Sequence, residues 1–172
     1  MLPLAASGFQ VVAIEPDEIA LLGGVVEMPD GSHTHSLGLQ ERLKQEGIEH
    51  KVTVIAKDLL QIPSSFPQSD AIFTSCSWHY SCNHSVPLLY FIRKMQSLVT
   101  PGGLFCAEYM MPVEAKHEES EHYAREGEIE RLFGSGWITL EQFYTSVFLE
   151  KAHVHNLHDH YHRMGFILAQ KS

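Results

Sequence analysis

Unbroken apolar runs, rather than alternating ones, mark the strands of this chain. Residues 9–15 are β-branched and apolar at their centre, with Val11, Val12, Ala13 and Ile14 in succession. That is the pattern of a strand buried on both faces. Residues 52–56, 70–75 and 104–109 repeat it. Between these runs the apolar positions shift to helical spacing. Residues 36–47 place Leu37, Leu39 and Leu43 together with Gly47 as a stop, and residues 86–99 hold Leu88, Ile92, Met95 and Val99 in register. Residues 2–6, with Gly8 behind them, read as a helix tail. Residues 21–35 are Gly-rich and aperiodic and read as an irregular excursion. Pro63 to Pro67 is a loop, and Thr100, Pro101, Gly102 and Gly103 form a turn into the fourth strand. Residues 114–130 are acidic and histidine-bearing, and residues 127–133 read as a short helix. Two long strand-like runs, 143–154 and 162–171, close the chain around a histidine-rich turn. Joined so closely, they must run antiparallel.

Strand–helix alternation with buried strands predicts an α/β fold, a Rossmann-like, mostly parallel sheet with a C-terminal antiparallel strand pair. With 172 residues, no repeats and no linker, residues 1–172 read as a single domain. The chain is 44% hydrophobic and 19% charged, which suits a globular protein and excludes wholesale disorder. Twelve Lys and Arg against 21 Asp and Glu give a net charge of −9 with no basic stripe. That balance argues against nucleic acid as a partner. No apolar run approaches the ~20 residues of a membrane span, and residues 1–10 carry no basic leader, so no membrane partner is expected. Three cysteines are too few for a secreted disulfide scaffold, and a reducing cytoplasm is the expected location.

Ligands of open parallel sheets bind at the carboxyl ends of the strands. The first strand ends on Glu15 and Pro16, and an acid there can accept two hydrogen bonds from a ribose diol. The second is followed by Asp58 and Leu59, an acid able to accept from an exocyclic adenine amine beside a side chain able to pack on the ring. Either acid equally suits a helix N-cap or a turn. The third strand runs into Ser75, Cys76, Ser77, Trp78, His79 and Tyr80, a small-polar and aromatic loop fit to line a substrate pocket. His79 titrates near neutrality when unperturbed and can serve as a base or an acceptor-orienting group; bonding backbone is the plainer role. Trp78 and Tyr80 can stack on an aromatic substrate or cover the core.

The ordered set of residues 9–15, Ala56 to Leu59, Asp70 to Ser75 and Leu98 to Leu104 resembles the successive motifs of class I S-adenosylmethionine-dependent methyltransferases. Within that superfamily, residues 4–9 and 125–133 are similar to the tellurite-resistance and thiopurine methyltransferase branch, in which a Gly-Glu-Leu segment like Gly127, Glu128 and Ile129 opens the helix before the last two strands. The resemblance covers nearly the whole chain. It implies S-adenosylmethionine as cofactor and a small-molecule methyl acceptor. It places Glu15 and Pro16 at the ribose, Asp58 and Leu59 at the adenine, and Ser75 and Cys76 near the methionine moiety and the acceptor. His155 and Arg163 match a histidine and an arginine that line the substrate side in the tellurite branch, and with His79 they are the candidate catalytic residues. Methyl transfer from a sulfonium is an in-line displacement, so positioning dominates and a base is needed only if the acceptor must lose a proton.

One departure stands out. The superfamily's Gly-rich loop after the first strand has no counterpart, because Gly23 and Gly24 follow the wrong strand and Gly102 and Gly103 belong to the later turn. By the resemblance, the central first strand is missing, the domain is N-terminally incomplete, and this chain binds cofactor poorly and is inactive in this form. A homodimer covering the gap is the implied assembly. The alternative is a non-enzymatic relative, a histidine-rich metal-binding or oligomerisation module. His153, His155, His158, His160 and His162 crowd ten residues, and strand alternation puts His153 with His155 and His160 with His162 on shared faces. Such pairs can meet a Zn²⁺ or Ni²⁺ ion. With no Cys-x-x-Cys alongside, they are read as solvent-facing strand-end residues and no metal is assigned. Cys76, Cys82 and Cys106 read as small buried hydrophobes.

Overall fold

The computed structural model describes residues 1–153 and 156–172, and the chain divides into two compact units, residues 1–62 with 152–158 and residues 63–151 with 159–172. The first unit opens with helix α1 (Leu2–Ala6) and strand β1 (Val11–Ile14). Helix α2 (Glu18–Leu22) follows, capped by Asp17, whose carboxylate accepts the Ala20 N–H at 2.9 Å. Residues 23–37 are a β-hairpin, β2 (Gly23–Glu27) against β3 (His33–Leu37), where the sequence suggested an irregular excursion. Its turn closes through the Met28 N–H to the Ser32 carbonyl at 2.7 Å and through Asp30, which accepts from Ser32. Helix α3 (Leu39–Gln45) ends at Gly47, whose φ of +66° favours glycine. Strand β4 (Val52–Ile55) then pairs parallel with β1, from Val11 opposite Val52 to Ile14 opposite Ile55. Buried Ala5, Leu43 and Ile48 form this unit's core, with Val11, Val52 and Val54 packed on it.

The second unit is built on a four-stranded sheet in the order β5 (Ser69–Ser75), β6 (Val99–Met110), β10 (Met164–Lys171), β7 (Trp137–Tyr144). β5 and β6 run parallel, and β10 is antiparallel to both β6 and β7. The fold is thus α/β and Rossmann-like, with the antiparallel C-terminal strands its sequence pattern requires. β1 and β5 belong to different sheets, and among the described residues no ladder joins them. β6 buries every second residue from Gly103 through Phe105, Ala107 and Tyr109. β10 answers with Gly165, Ile167 and Ala169. Helix α4 (Leu88–Ser97) contributes buried Leu88, Phe91, Ile92 and Met95 to the same core. The Pro101–Gly102 turn does not precede β6 but bulges out of it: Ser69 pairs with Val99 and Ala71 with Leu104, so extra residues of β6 leave the ladder.

Helix α5 (Ala115–Glu118) and a one-turn 3₁₀ helix at Glu130–Leu132 lie in the acidic segment, the latter in place of the short helix expected over 127–133. The last strands also differ from expectation. β7 begins at Trp137 and is interrupted after Tyr144, and Phe148–Glu150 forms a separate strand, β8, paired antiparallel with β9 (His160–His162). The break is pinned at Thr145: its N–H donates to the Met164 carbonyl, and its hydroxyl accepts the Met164 N–H, both at 2.9 Å. Among the described residues no helix is long and apolar enough to cross a membrane.

Candidate functional site

In the first unit the parallel pairing of β1 with β4 carries Glu15 and Asp58 to the same end of their sheet, just past Ile14 and Ile55. The Glu15 N–H extends the ladder by donating to the Ile55 carbonyl at 3.1 Å. Each acid also organises its own turn. Glu15 Oε1 accepts the Asp17 N–H at 2.9 Å, and Asp58 Oδ1 accepts the Leu60 N–H at 2.7 Å as the cap of a 3₁₀ turn over Leu59–Gln61. Those bonds use one oxygen of each carboxylate. Pro16 is exposed and Leu59 half-buried. The turn-forming role and a ligand-holding role are therefore compatible at both positions.

In the second unit the chain leaves β5 through a constrained elbow. Cys76 has φ +49°, the left-handed region, and is the one non-glycine residue with positive φ among those described. Its N–H donates to the Glu108 carbonyl at 2.9 Å, while Ser75 Oγ donates to the Glu108 carboxylate at 2.8 Å. Burial pushes the Cys76 thiol up to about 11, with the carboxylates of Glu108 and Glu150 adding to it against a hydrogen bond from Ser75. Cys76 is a protonated thiol at neutral pH and no nucleophile. Trp78 is 1% exposed and stacks on Tyr109 at 5.8 Å, so its role is core packing.

His79 is the group in this loop with usable acid–base chemistry. Its Nδ1 lies 2.7 Å from the Cys76 carbonyl. A carbonyl oxygen can only accept, so Nδ1 carries the proton and Nε2 presents a lone pair. Burial holds His79 below the ordinary imidazole value, opposed by that hydrogen bond and reinforced by the nearby His162, His84 and His117. His79 is thus a neutral imidazole in the tautomer of a base. Its carbonyl accepts from His84 Nε2 at 2.7 Å, and its ring packs on Tyr80 and edge-on to Tyr123. His117 stacks flat on Tyr123 at 4.2 Å, and burial lowers its pKa as well.

Arg163 sits between β9 and β10, where its Nε donates to the Thr145 carbonyl at 3.2 Å and its guanidinium pairs with Glu126. The first bond ties Arg163 to the strand break at Thr145, and the second ties it to the segment before the 3₁₀ helix. His155 lies outside the described residues. Ser75, Cys76 and His79 are brought together at the end of β5, and Glu15, Pro16, Asp58 and Leu59 at the end of β1 and β4. Sequence reasoning missed Glu108, His117, Tyr123 and Glu150. Only the histidine content of residues 114–130 hinted at any of them, since the others reach the loop through strand register and tertiary packing.

No protein-family profile matches the chain, and no curated protein matches it by sequence. Solved structures do. TehB from Haemophilus influenzae matches all of this chain at 16% identity and a TM-score of 0.67, and the chain spans 53% of TehB, about half its length. The [4+2]-cyclase SpnF matches 99% of the chain at 13% identity and a TM-score of 0.63, with 69% of its own length covered. The N-methyltransferase NodS from Bradyrhizobium japonicum WM9, in complex with S-adenosyl-L-homocysteine, matches 93% of the chain at 10% identity and a TM-score of 0.54, with 65% of NodS covered. Together these likenesses establish that the chain has the Rossmann-like α/β fold of the class I methyltransferases.

Proposed function

We propose that the chain is an S-adenosylmethionine-dependent methyltransferase domain of the tellurite-resistance and thiopurine type, with a small molecule as methyl acceptor. The observation that carries this reading is the placement of Glu15 and Asp58 at one end of two adjacent parallel strands. NodS, which shares the fold, was solved with S-adenosyl-L-homocysteine, and ligands of open parallel sheets bind at the carboxyl ends of the strands. The donor set suits the group: Glu15 for a ribose diol, with Pro16 shaping the turn behind it, and Asp58 with Leu59 for an adenine amine and ring. When bound, S-adenosylmethionine supplies an activated methyl group on a sulfonium. The family resemblance assigns Ser75 and Cys76 to the methionine moiety, and within the second unit the neutral Nε2 of His79 is the group available to take the proton of a protic acceptor. The family resemblance assigns roles toward the acceptor to Arg163 and to His155, the latter outside the described residues.

The Gly-rich loop that would approach the methionine part of the cofactor is not in the sequence, so Glu15 and Asp58 hold the adenosine end alone. Binding weaker than micromolar follows, with little or no turnover by this chain. Calorimetry with S-adenosyl-L-homocysteine tests both parts. Weak binding that Glu15→Ala and Asp58→Ala each reduce by about tenfold is expected, the loss of roughly one charge-assisted hydrogen bond. Binding indifferent to both substitutions overturns the site, and micromolar or tighter affinity overturns the claim of weakness.

A further inference from the structure

Three metal-ligating side chains converge on the β8–β9 ribbon, within the second unit. Antiparallel register sets Glu150 opposite His160 and Phe148 opposite His162. Residues two apart on a strand share a face, so His162 joins His160 on the side that Glu150 occupies. The two imidazoles meet edge to face with centroids 4.5 Å apart. A single oxygen, Glu150 Oε2, lies 3.4 Å from His160 Nε2 and 2.6 Å from His162 Nε2. The three ligand atoms all fall within 4.8 Å of one another. The histidine side chains are only 12% and 14% exposed, against 44% for Glu150, so the imidazoles are largely enclosed and the carboxylate meets solvent.

A simple ion pair needs one histidine, and here two imidazole nitrogens face one carboxylate oxygen. We propose that Glu150, His160 and His162 form a binding site for a divalent transition metal, Zn²⁺ by the chemistry of its donors. Tetrahedral zinc bonded to nitrogen and oxygen at ~2.0–2.1 Å keeps its ligand atoms roughly 3.3 Å apart. The His160–Glu150 pair already has that spacing, and the His162–Glu150 pair reaches it by opening less than about 1 Å, a small rotation of a half-exposed carboxylate. Two histidines and a carboxylate are a donor set that zinc takes in proteins. None of this depends on cofactor binding by Glu15 and Asp58.

The test uses the full chain, stripped with a chelator and dialysed. Titration with Zn²⁺ by calorimetry is expected to show one ion per chain, and Co²⁺ in its place is expected to give the intense visible absorption of a four-coordinate site. His160→Ala and His162→Ala each weaken Zn²⁺ binding by at least about a hundredfold and Glu150→Gln by at least about tenfold, while circular dichroism reports whether each variant is folded. The double variant His153→Ala with His158→Ala keeps the wild-type affinity. Loss of binding in that variant assigns the ion to the neighbouring turn and overturns the proposal. So does the wild-type chain itself, if it takes up no stoichiometric Zn²⁺ or gives the weak cobalt spectrum of a six-coordinate, largely aqueous ion.

Discussion

Gly165 is the tightest point of the larger sheet, and replacing it with alanine probes the site and the core together. Gly165 lies opposite Tyr109 in the β6–β10 ladder, and the Tyr109 ring covers the glycine where a side chain would begin. A Cβ built there falls 2.7 Å from the Tyr109 hydroxyl oxygen and closer still to Cζ and Cε2. Ordinary carbon contacts need about 3.5 Å or more, so the ring must retreat by on the order of 1 Å. Tyr109 is fully buried and stacked on Trp78, itself 1% exposed, so a retreating ring must displace its neighbours. Forcing such overpacking costs ~1–3 kcal/mol. Against that, alanine is better than glycine in a strand by roughly 0.5–1 kcal/mol. A net loss of about 1–2 kcal/mol is expected for Gly165→Ala, read as a lower midpoint in urea denaturation. The same change in a Tyr109→Leu background removes the clash, so there it is expected to be neutral or stabilising. Equal losses in both backgrounds would refute the reasoning, because the penalty would then owe nothing to the tyrosine ring.

Other expectations follow from single groups. Burial holds His79, His117 and His122 below the ordinary imidazole pKa, so the folded chain keeps them neutral while the unfolded chain protonates them near pH ~6.5. Their contribution is complete above that pH and is lost as pH falls through and below it; a urea midpoint that stays level or rises from about pH 7 to about pH 5.5 contradicts this. Tyr144 Oη accepts from the Gly127 N–H at 2.9 Å and from Gln142 Nε2 at 2.5 Å, and donates to Glu130 Oε1 at 2.9 Å. Tyr144→Phe therefore strands three partners and is expected to cost about 1–3 kcal/mol in the same assay. The Cys76 thiol, raised from 9.0 to about 11, holds about a hundredfold less thiolate than an ordinary cysteine, whereas Cys82 is exposed. Limited alkylation followed by peptide mass spectrometry should modify Cys82 well before Cys76, and equal labelling would show the elbow to be open.

The parts of the fold that were legible in the sequence are those whose signal is local. Val11 to Ile14 and Val52 to Ile55 form strands where the hydrophobic runs put them, though exposed Val12 and Thr53 show that neither is buried on both faces as the runs suggested. Helix α4 declares itself by Leu88, Ile92 and Met95 at helical spacing, with Pro87 fixing its start. The hairpin at residues 23–37 was hidden because its strands pair only with each other and stay largely exposed, which leaves little burial to write an alternation into the sequence. β7 was placed too late because its outward Ile138, Leu140 and Phe143 obscure any two-residue period. At the candidate site, acids and polar residues directly following strands could be named in advance. Glu108 and Glu150 could not, since one reaches Ser75 across a ladder and the other meets His160 through hairpin register. Register is a property of pairs of segments, and one segment read alone does not contain it.

The strand order β5-β6-β10-β7 has a consequence for how the protein is made. Of these four strands, the one latest in the chain lies between two that precede it, with seven residue pairings to each side. Until residues 164–171 have left the ribosome, β7 has no neighbour and β6 is paired on one edge only. Phe105, Ala107 and Tyr109 then have no β10 alongside, so until that point the nascent chain exposes sheet edge and apolar surface together. The final eight-residue strand works as a keystone, and cotranslational folding of this unit has to wait for it.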